Sequence, residues 1–355
     1  MKERIVKIQE ILEKDEAVFI TNDNNRFYFT GFRSSAGTLL ITKEKAFLLI
    51  DFRYFEKAAK TVKCCDVLLC EKLYIQLNEL LKKENIKKIY LETESISISR
   101  YNSFKQYFSD YILSDDNNFQ KKISELRSEK SEDEIKSIKA AQKITDKTFT
   151  YILNKIKTGV TEREIMLDME FFSRHSGSEE AAFDFIVVSG KNSSLPHGVP
   201  TDKEIESGDF ITMDFGCTVN GYRSDMTRTV AIGSVTEKQA LVYNTVLEAQ
   251  KAALDLIKAG IPCNEVDSVA RDIITAAGFG KNFGHGLGHS VGLEIHESPA
   301  CNTRDTTPLK SGMIMTVEPG IYLENEFGVR IEDMVVVTDS GCINLTQSPK
   351  DLIIL

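Results

Sequence analysis

The chain lacks most of what special-purpose proteins are built from. No apolar run approaches the roughly 20 residues a membrane-spanning helix needs, so no membrane span is expected. Basic residues are outnumbered, 44 Lys and Arg against 53 Asp and Glu, for a net charge of −9. No basic stretch reverses that balance, so nucleic acid is not expected as a partner. The seven Cys form no C-x-x-C pair and no regular framework, and Cys64 and Cys65 are adjacent. That argues against zinc ribbons, redox motifs and a disulfide scaffold, and fits a reducing compartment. The N-terminus, Met1-Lys-Glu-Arg-Ile-Val-Lys-Ile-Gln-Glu10, is an amphipathic helix pattern without a signal-peptide core, and a cytoplasmic protein is expected. Trp is absent, which excludes nothing. His is scarce, five in 355 residues, so the positions of those five carry information.

What is present suffices for sizeable cores: 42% of residues are hydrophobic, and the length suggests two domains. Residues 1–122 alternate helix and strand patterns and predict an α/β domain with a mixed sheet. Ala17–Ile20, Arg26–Phe29, Thr38–Ile41, Ala46–Ile50 and Lys88–Glu92 read as strands. Arg53–Lys60 and Leu73–Lys83 read as helices, and Ser99 as the cap of another. Asp51, at a strand end before a helix, reads as a cap and not as a catalytic acid. The charged stretch Gln120–Glu134 marks the junction to a second domain, 123–355. There Ser131-Glu-Asp-Glu134, Thr161-Glu-Arg-Glu164 and Thr236-Glu-Lys-Gln239 are capping boxes, each opening a helix. Beyond residue 130 the order is helix, helix, hairpin, helix, helix, hairpin, which predicts a duplication with pseudo-twofold symmetry.

The first hairpin is the informative one. Asn220-Gly221 between two β-rich runs predicts a type I′ turn. With those as turn residues, Val219 faces Tyr222 and Gly216 faces Asp225. Asp214 is then the diagonal neighbour of Asp225, roughly 7–8 Å away between backbones. Two carboxylates held there oppose each other's ionisation, and a metal ion resolves the conflict. A solvent-exposed strand face is the other reading of this hairpin alone. A second stretch favours the metal. Ser207-Gly-Asp-Phe-Ile-Thr-Met-Asp214-Phe-Gly216 aligns without gaps on Ser311-Gly-Met-Ile-Met-Thr-Val-Glu318-Pro-Gly320. Asp225 follows Asp214 by 11 positions and Glu332 follows Glu318 by 14. Two hairpins, each with two acids, predict four converging carboxylates, a set suited to Mn or Mg.

Four of the five His sit beside Gly or an acid. His197 lies in Leu-Pro-His-Gly-Val-Pro. His285, His289 and His296 lie in Phe283-Gly-His-Gly-Leu-Gly-His-Ser-Val-Gly-Leu-Glu-Ile-His-Glu297. The interleaved glycines let a backbone approach a ligand closely and argue against the helical H-E-x-x-H zinc motif. His175, before Ser-Gly-Ser, reads as a surface residue.

On these residues the sequence resembles the creatinase, prolidase and methionine aminopeptidase family, the pita-bread fold. The segments are Pro196-His-Gly, Met213-Asp-Phe-Gly with Ser224-Asp-Met-Thr-Arg, Gly284–Glu297, Thr316-Val-Glu-Pro-Gly-Ile-Tyr322 and Gly328-Val-Arg-Ile-Glu-Asp333. The front half resembles the creatinase-type N-terminal domain through Asn25-Arg-Phe-Tyr-Phe-Thr-Gly-Phe and Leu49-Ile-Asp-Phe-Arg-Tyr. That leaves the proline peptidases as the nearest branch, since methionine aminopeptidases lack this domain.

The resemblance implies a fold of α/β (α+β) class, a mixed-sheet domain followed by a duplicated pita-bread domain. It implies five metal ligands: Asp214, Asp225, His289, Glu318 and Glu332. These would hold two divalent ions bridged by a water or hydroxide, with Mn expected and Co, Zn or Fe as alternatives. Asp225 would chelate one ion, Asp214 and Glu332 would bridge, and His289 and Glu318 would complete one. Glu318 would also pass a proton to the leaving imide nitrogen. His197 and His296 would donate hydrogen bonds to substrate, His285 would line the proline pocket, and Tyr322 and Arg330 would orient Asp214. A homodimer is expected on the same ground. A metal-free binding module of the same fold and a scaffold protein are the non-enzyme alternatives, and the intact ligand set argues against both.

The substrate is then a peptide with proline second. A strict dipeptidase needs a fixed cation for the carboxylate after proline, best an Arg, and the resemblance implies that in the family's dipeptidases it stands just past the step matching His296-Glu-Ser-Pro299. Ala300 stands there, and Arg304 lies four positions on. The sequence therefore favours an aminopeptidase P type of Xaa-Pro aminopeptidase, with an Xaa-Pro dipeptidase (prolidase) as the alternative.

Overall fold

The computed structural model describes all 355 residues, which divide into two compact units, Met1–Arg127 and Ser128–Leu355. The first unit runs α1 (Lys2–Gln9), β1 (Glu16–Ile20), α2 (Asp23–Thr30), β2 (Thr38–Thr42), β3 (Ala46–Ile50) and α3 (Phe52–Thr61). It continues with β4 (Asp66–Leu69), α4 (Leu73–Lys83), β5 (Lys88–Tyr90), α5 (Ile98–Tyr107), β6 (Ile112–Ser114) and α6 (Asn118–Ser128). Its sheet has the order β4-β3-β2-β1-β5-β6 and is mixed: β1–β2 and β2–β3 are antiparallel, the other pairs parallel. Phe19, Leu49, Leu77, Ile89, Phe104 and Phe108 fill one core, with Phe19 edge-on to both Phe104 and Phe108.

Asp51 caps α3 by accepting from Arg53 N. Arg26–Phe29, expected as a strand, lies inside α2. Asn22 caps that helix by accepting from Asn25 N, and Gly31 ends it in the left-handed region at φ 71. The two caps decide the segment against its aromatic, strand-like composition. Ser97, not Ser99, caps α5. The charged stretch expected as a junction is largely α6, which runs through residue 122.

The second unit begins with α7 (Glu132–Leu153), α8 (Glu162–His175), β7 (Ile186–Ser189), β8 (Phe210–Phe215), β9 (Thr218–Val219), β10 (Tyr222–Arg223) and β11 (Met226–Ala231). There follow α9 (Glu237–Leu256), α10 (Cys263–Ala276), β12 (Gly288–Ser290), β13 (Glu297–Cys301) and β14 (Ile314–Val317). The last elements are β15 (Gly320–Leu323), β16 (Phe327–Arg330), β17 (Asp333–Val337) and β18 (Cys342–Asn344). All three capping boxes form, opening α7, α8 and α9. Sheets of order β11-β8-β7 and β13-β12-β14-β17-β18 place β8 and β14 in matching positions, each between a hairpin partner and an earlier strand. The preceding helices match in length, 22 and 14 residues in one half, 20 and 14 in the other.

The halves are joined beneath the acids. Arg228, 1% exposed, uses all five of its donors. Nε bonds Pro349 O, Nη1 bonds Thr227 O and Glu332 O, and Nη2 bonds Asp333 and Ser348 O. Asp333 also takes Lys350, Gln250 and Asn344. A buried ion pair is well supported only when its remaining donors and acceptors are satisfied, and here they are.

Candidate metal centre

The first hairpin keeps one register throughout: Val219 pairs with Tyr222, Phe215 with Met226 and Asp214 with Thr227. Asn220 and Gly221 turn it at φ 50 and 79. Continued by one residue, that register sets Gly216 against Asp225, and a Cβ on Gly216 would strike the Ser224 carbonyl. Asp214 and Asp225 are therefore the diagonal pair. The second hairpin also keeps one register, through Val317–Asp333 and Gly320–Arg330, so Glu318 falls directly opposite Glu332. The hairpins are stitched together: Glu332 N donates to Thr227 O at 3.1 Å, Thr227 Oγ1 to Glu332 Oε2 at 2.8 Å, and Thr229 Oγ1 to Arg330 O at 3.0 Å.

β12 brings the imidazole. Gly288 lies so close to the Thr316 carbonyl that a Cβ could not fit. The Thr316 hydroxyl accepts from His289 N at 2.9 Å and donates to Glu318 Oε1 at 3.1 Å. His289 Nδ1 lies 3.2 Å from Ser290 O, an acceptor only, so that nitrogen carries the proton. Nε2 is left facing the acids, 3.3 Å from Glu318 Oε1 and 3.7 Å from Asp225 Oδ2. Ligand atoms of Asp225, His289 and Glu332 lie within 4.8 Å of one another.

The electrostatics call for a cation. Burial pushes the Asp225 carboxyl well above the usual carboxylate range, and the Asp214 charge adds to it. Burial also raises Glu332, helped by Asp225 and Glu318, and raises Asp214 despite Arg330. Glu318 moves the other way. Burial works to raise it, but the His289 hydrogen bond and charge bring it down to about 2. His289 rises to about 9 in return, against its own burial. Asp214 Oδ1 and Glu332 Oε1 are buried with no hydrogen-bond partner at all. Orphaned carboxylate oxygens among mutually repelling acids, with one imidazole nitrogen aimed at them, fit divalent metal.

Arg330, 3% exposed, sits behind the acids. Nη2 bonds Asp214 Oδ2 at 2.7 Å, Nε bonds Thr227 Oγ1 at 3.0 Å, and Nη1 bonds the Tyr322 hydroxyl at 2.8 Å. That hydroxyl is 2.9 Å from His285 Nε2, while His285 Nδ1 is 2.8 Å from Gly286 O. The chain of donors has one solution. Arg330 donates to the Tyr322 oxygen, Tyr322 donates to Nε2, and His285 is the neutral Nδ1–H tautomer. Burial lowers the His285 pKa, consistent with that form. The Asp267–Arg271 pair fixes the glycine-rich stretch from behind: Asp267 takes Leu287 N, and Arg271 donates to Phe283 O and His285 O.

A cavity of about 680 Å³ lies over the acids. All five proposed ligands line it, as do His197, His285, His296 and Arg330, while Tyr322 stands behind. The His296 ring is edge-on to His289 with centroids 4.5 Å apart. His175 is exposed, stacked on Phe171. At the cavity wall Arg304 is exposed and its guanidinium pairs with no carboxylate. Thr227 and Thr316, which hold Glu332 and Glu318, were not singled out from sequence. The signal was there for Thr316: it is the Thr shared by the two Ser-Gly repeats. Its counterpart Thr212 instead bonds Thr229 at 3.0 Å.

Residues 136–339 match Metallopeptidase family M24, and residues 4–128 match the Creatinase/Prolidase N-terminal domain. The chain belongs to metallopeptidase family M24. Over 358 residues it is 38% identical to the Xaa-Pro dipeptidase of Pyrococcus furiosus, covering 99% of this chain and 100% of that one. A solved structure described as Xaa-Pro dipeptidase from Bacillus anthracis matches with a TM-score of 0.93 at 40% identity, over 100% of this chain and 99% of the other. One described as X-Pro aminopeptidase from Thermotoga maritima MSB8 matches with a TM-score of 0.90 at 38% identity, with the same coverage. As an M24 protein this is a hydrolase of the metallo-exopeptidase kind, with a creatinase-type front domain and a pita-bread metallopeptidase domain that uses divalent metal.

Proposed function

We propose that this M24 enzyme is an Xaa-Pro dipeptidase using two Mn ions. Asp214, Asp225, His289, Glu318 and Glu332 would hold the ions. Four carboxylates and one imidazole make a hard donor set, which favours Mn over Zn. Bound there, two such ions supply Lewis acidity for the scissile carbonyl and a nucleophilic water at neutral pH. The protein's own groups do the rest. His197 and His296 donate hydrogen bonds to the substrate carbonyl as its oxygen gains charge. Glu318 carries a proton to the imide nitrogen of the leaving proline. His285, fixed as the neutral tautomer by Tyr322 and Gly286, lines the proline side of the cavity.

The observation that carries the dipeptidase reading is Arg304. The aminopeptidase expectation rested on Ala300, which offers no cation. Arg304 lines the same cavity with its guanidinium unpaired, as a carboxylate clamp would. The whole-length similarity to Xaa-Pro dipeptidases supports the same choice, so the preference passes from aminopeptidase to dipeptidase. The likeness to the Thermotoga maritima X-Pro aminopeptidase keeps cleavage of longer peptides as the second reading. A homodimer in the cytoplasm belongs to the same proposal; the seven free thiols suit a reducing compartment.

The deciding experiment loads the purified protein with Mn and compares Xaa-Pro, Xaa-Pro-Yaa and Xaa-Ala. Hydrolysis of Xaa-Pro well above the other two is expected. Equal or faster cleavage of the tripeptide restores the aminopeptidase reading, and cleavage of neither proline peptide removes both.

A further inference from the structure

The loop that carries His197 into the cavity is not held by apolar packing at its tip. Leu195 and Val199, on either side of the histidine, are 56% and 76% exposed. Its conformation is held by polar contacts, and those at its base converge on one side chain. Glu162, the first residue of α8, is 0% exposed. Its Oε1 accepts from Ser189 N at 2.6 Å and Ser189 Oγ at 2.9 Å, on the chain entering the loop. Its Oε2 accepts from Thr201 N at 3.0 Å and Thr201 Oγ1 at 2.7 Å, on the chain leaving it. Asn192 Nδ2 sits between, 3.1 and 3.2 Å from the two oxygens. No cation pairs with this carboxylate; amide and hydroxyl donors and the α8 N-terminus carry it.

The rest of the base is fixed by the same helix. Glu162 N and Arg163 N, which have no partner within α8, bond Lys203 O and Thr201 O at 3.1 Å each. Further out, Gly328 N donates to Ser193 Oγ at 2.9 Å and Arg330 Nη1 reaches Pro196 O at 3.3 Å. One carboxylate thus clasps both stems, while the tip rests on the guanidinium that holds Asp214.

We infer that Glu162 is the positioning residue for His197: its carboxylate closes the 189–201 loop so that the imidazole stands over the metal ligands. Glu162 touches neither substrate nor metal. The effect on catalysis rests on the proposed role of His197; the effect on the loop does not. Glu162→Gln tests the charge at constant size, because its amide sets an N–H donor against donors that need an acceptor. Thr201→Val is the gentler variant and removes a single hydroxyl.

The experiment is a double-mutant cycle on Xaa-Pro hydrolysis with Glu162→Gln, His197→Ala and the pair, plus amide exchange over 189–201 and metal content. Losing a transition-state donor typically costs 10²–10³ in rate. Glu162→Gln is expected to lower kcat and kcat/KM together by about tenfold or more, with KM and metal content unchanged. In the His197→Ala background it should change the rate less than about twofold, because the two act as one unit. Exchange should rise over 189–201 only, and Thr201→Val should show a weaker version of each effect. The same loss in both backgrounds, or unchanged exchange over 189–201, overturns the inference. Should Glu162→Gln not fold, Thr201→Val is read by the same cycle. A wild-type protein inactive on Xaa-Pro, or a fully active His197→Ala, defeats the functional reading instead, and loop exchange alone then judges Glu162.

Discussion

Arg330→Met is the perturbation whose cost follows most directly from the structure. The guanidinium is 3% exposed and reaches Asp214, Thr227, Tyr322 and the Pro196 carbonyl. Met fills similar volume but donates nothing. Asp214 loses its only ion-pair partner while its Oδ1 already lacks one, so a buried carboxylate is stranded. Breaking a buried pair from one side costs about 3–5 kcal/mol. For a domain of this size each kcal/mol moves the melting point by about 2–4 °C, so metal-free Arg330→Met should melt about 6–20 °C below metal-free wild type. Excess Mn should recover part of that gap, because a bound cation also compensates Asp214. Asp214→Asn in the same background should cost far less than it does alone, since the stranded charge is gone; a coupling of about 2 kcal/mol or more is expected. Thermal melts of the four proteins with and without metal measure all of this. A metal-free Arg330→Met within about 2 °C of wild type, or additive costs in the double variant, would refute the reasoning.

Arg304→Gln should lower kcat/KM for Xaa-Pro by about tenfold, the low end for a charge-assisted hydrogen bond at an exposed site, and leave Xaa-Pro-Yaa unchanged; equal losses on both substrates would show that Arg304 reads no terminal carboxylate. His289→Ala should lose metal and turnover together, while His296→Ala keeps its metal and loses about 10²–10³ in rate; equal metal loss, measured by elemental analysis, would end that division of roles. Chelation should lower the melting point of wild type. Metal-free Asp225→Asn/Glu332→Gln should melt about 2–12 °C above metal-free wild type, because relieving like charges in a buried cluster is worth about 1–3 kcal/mol; a lower melting point would mean the acids are not in conflict.

The parts of the site that were legible in the sequence are those set within one hairpin. Asn220-Gly221 fixes its register by turn chemistry, and the register alone makes Asp214 and Asp225 diagonal. The second hairpin was reached by homology to the first, although its acids fall opposite each other and not on a diagonal. The Arg26–Phe29 segment has a strand-like aromatic composition, and it is helical because the Asn22 and Gly31 caps at its ends outweigh that composition. The contacts between hairpins are not legible from periodicity or turn chemistry; only the hold of Arg330 on Asp214 is implied, and that by the family resemblance. Thr227 holding Glu332, Arg330 holding Asp214 and Arg228 holding the 348–349 backbone each join residues about a hundred positions apart. No local periodicity reports such pairs, since they depend on how the two copies face each other. That limit has a physical counterpart. Four acids can be buried together only if their backbones are held rigidly enough that repulsion cannot spread them. One hairpin cannot do that, because its two strands are free to splay. Two hairpins facing each other can, through Thr227 and Thr229 bonding Glu332 and Arg330 across the join. The duplication is therefore what makes the cluster tolerable. The threonines that carry those bonds should therefore be costly to lose even without metal, where neutralising the acids is not: Thr227→Val should lower the metal-free melting point and weaken metal binding together, and a change in either alone would separate its structural role from its hold on Glu332.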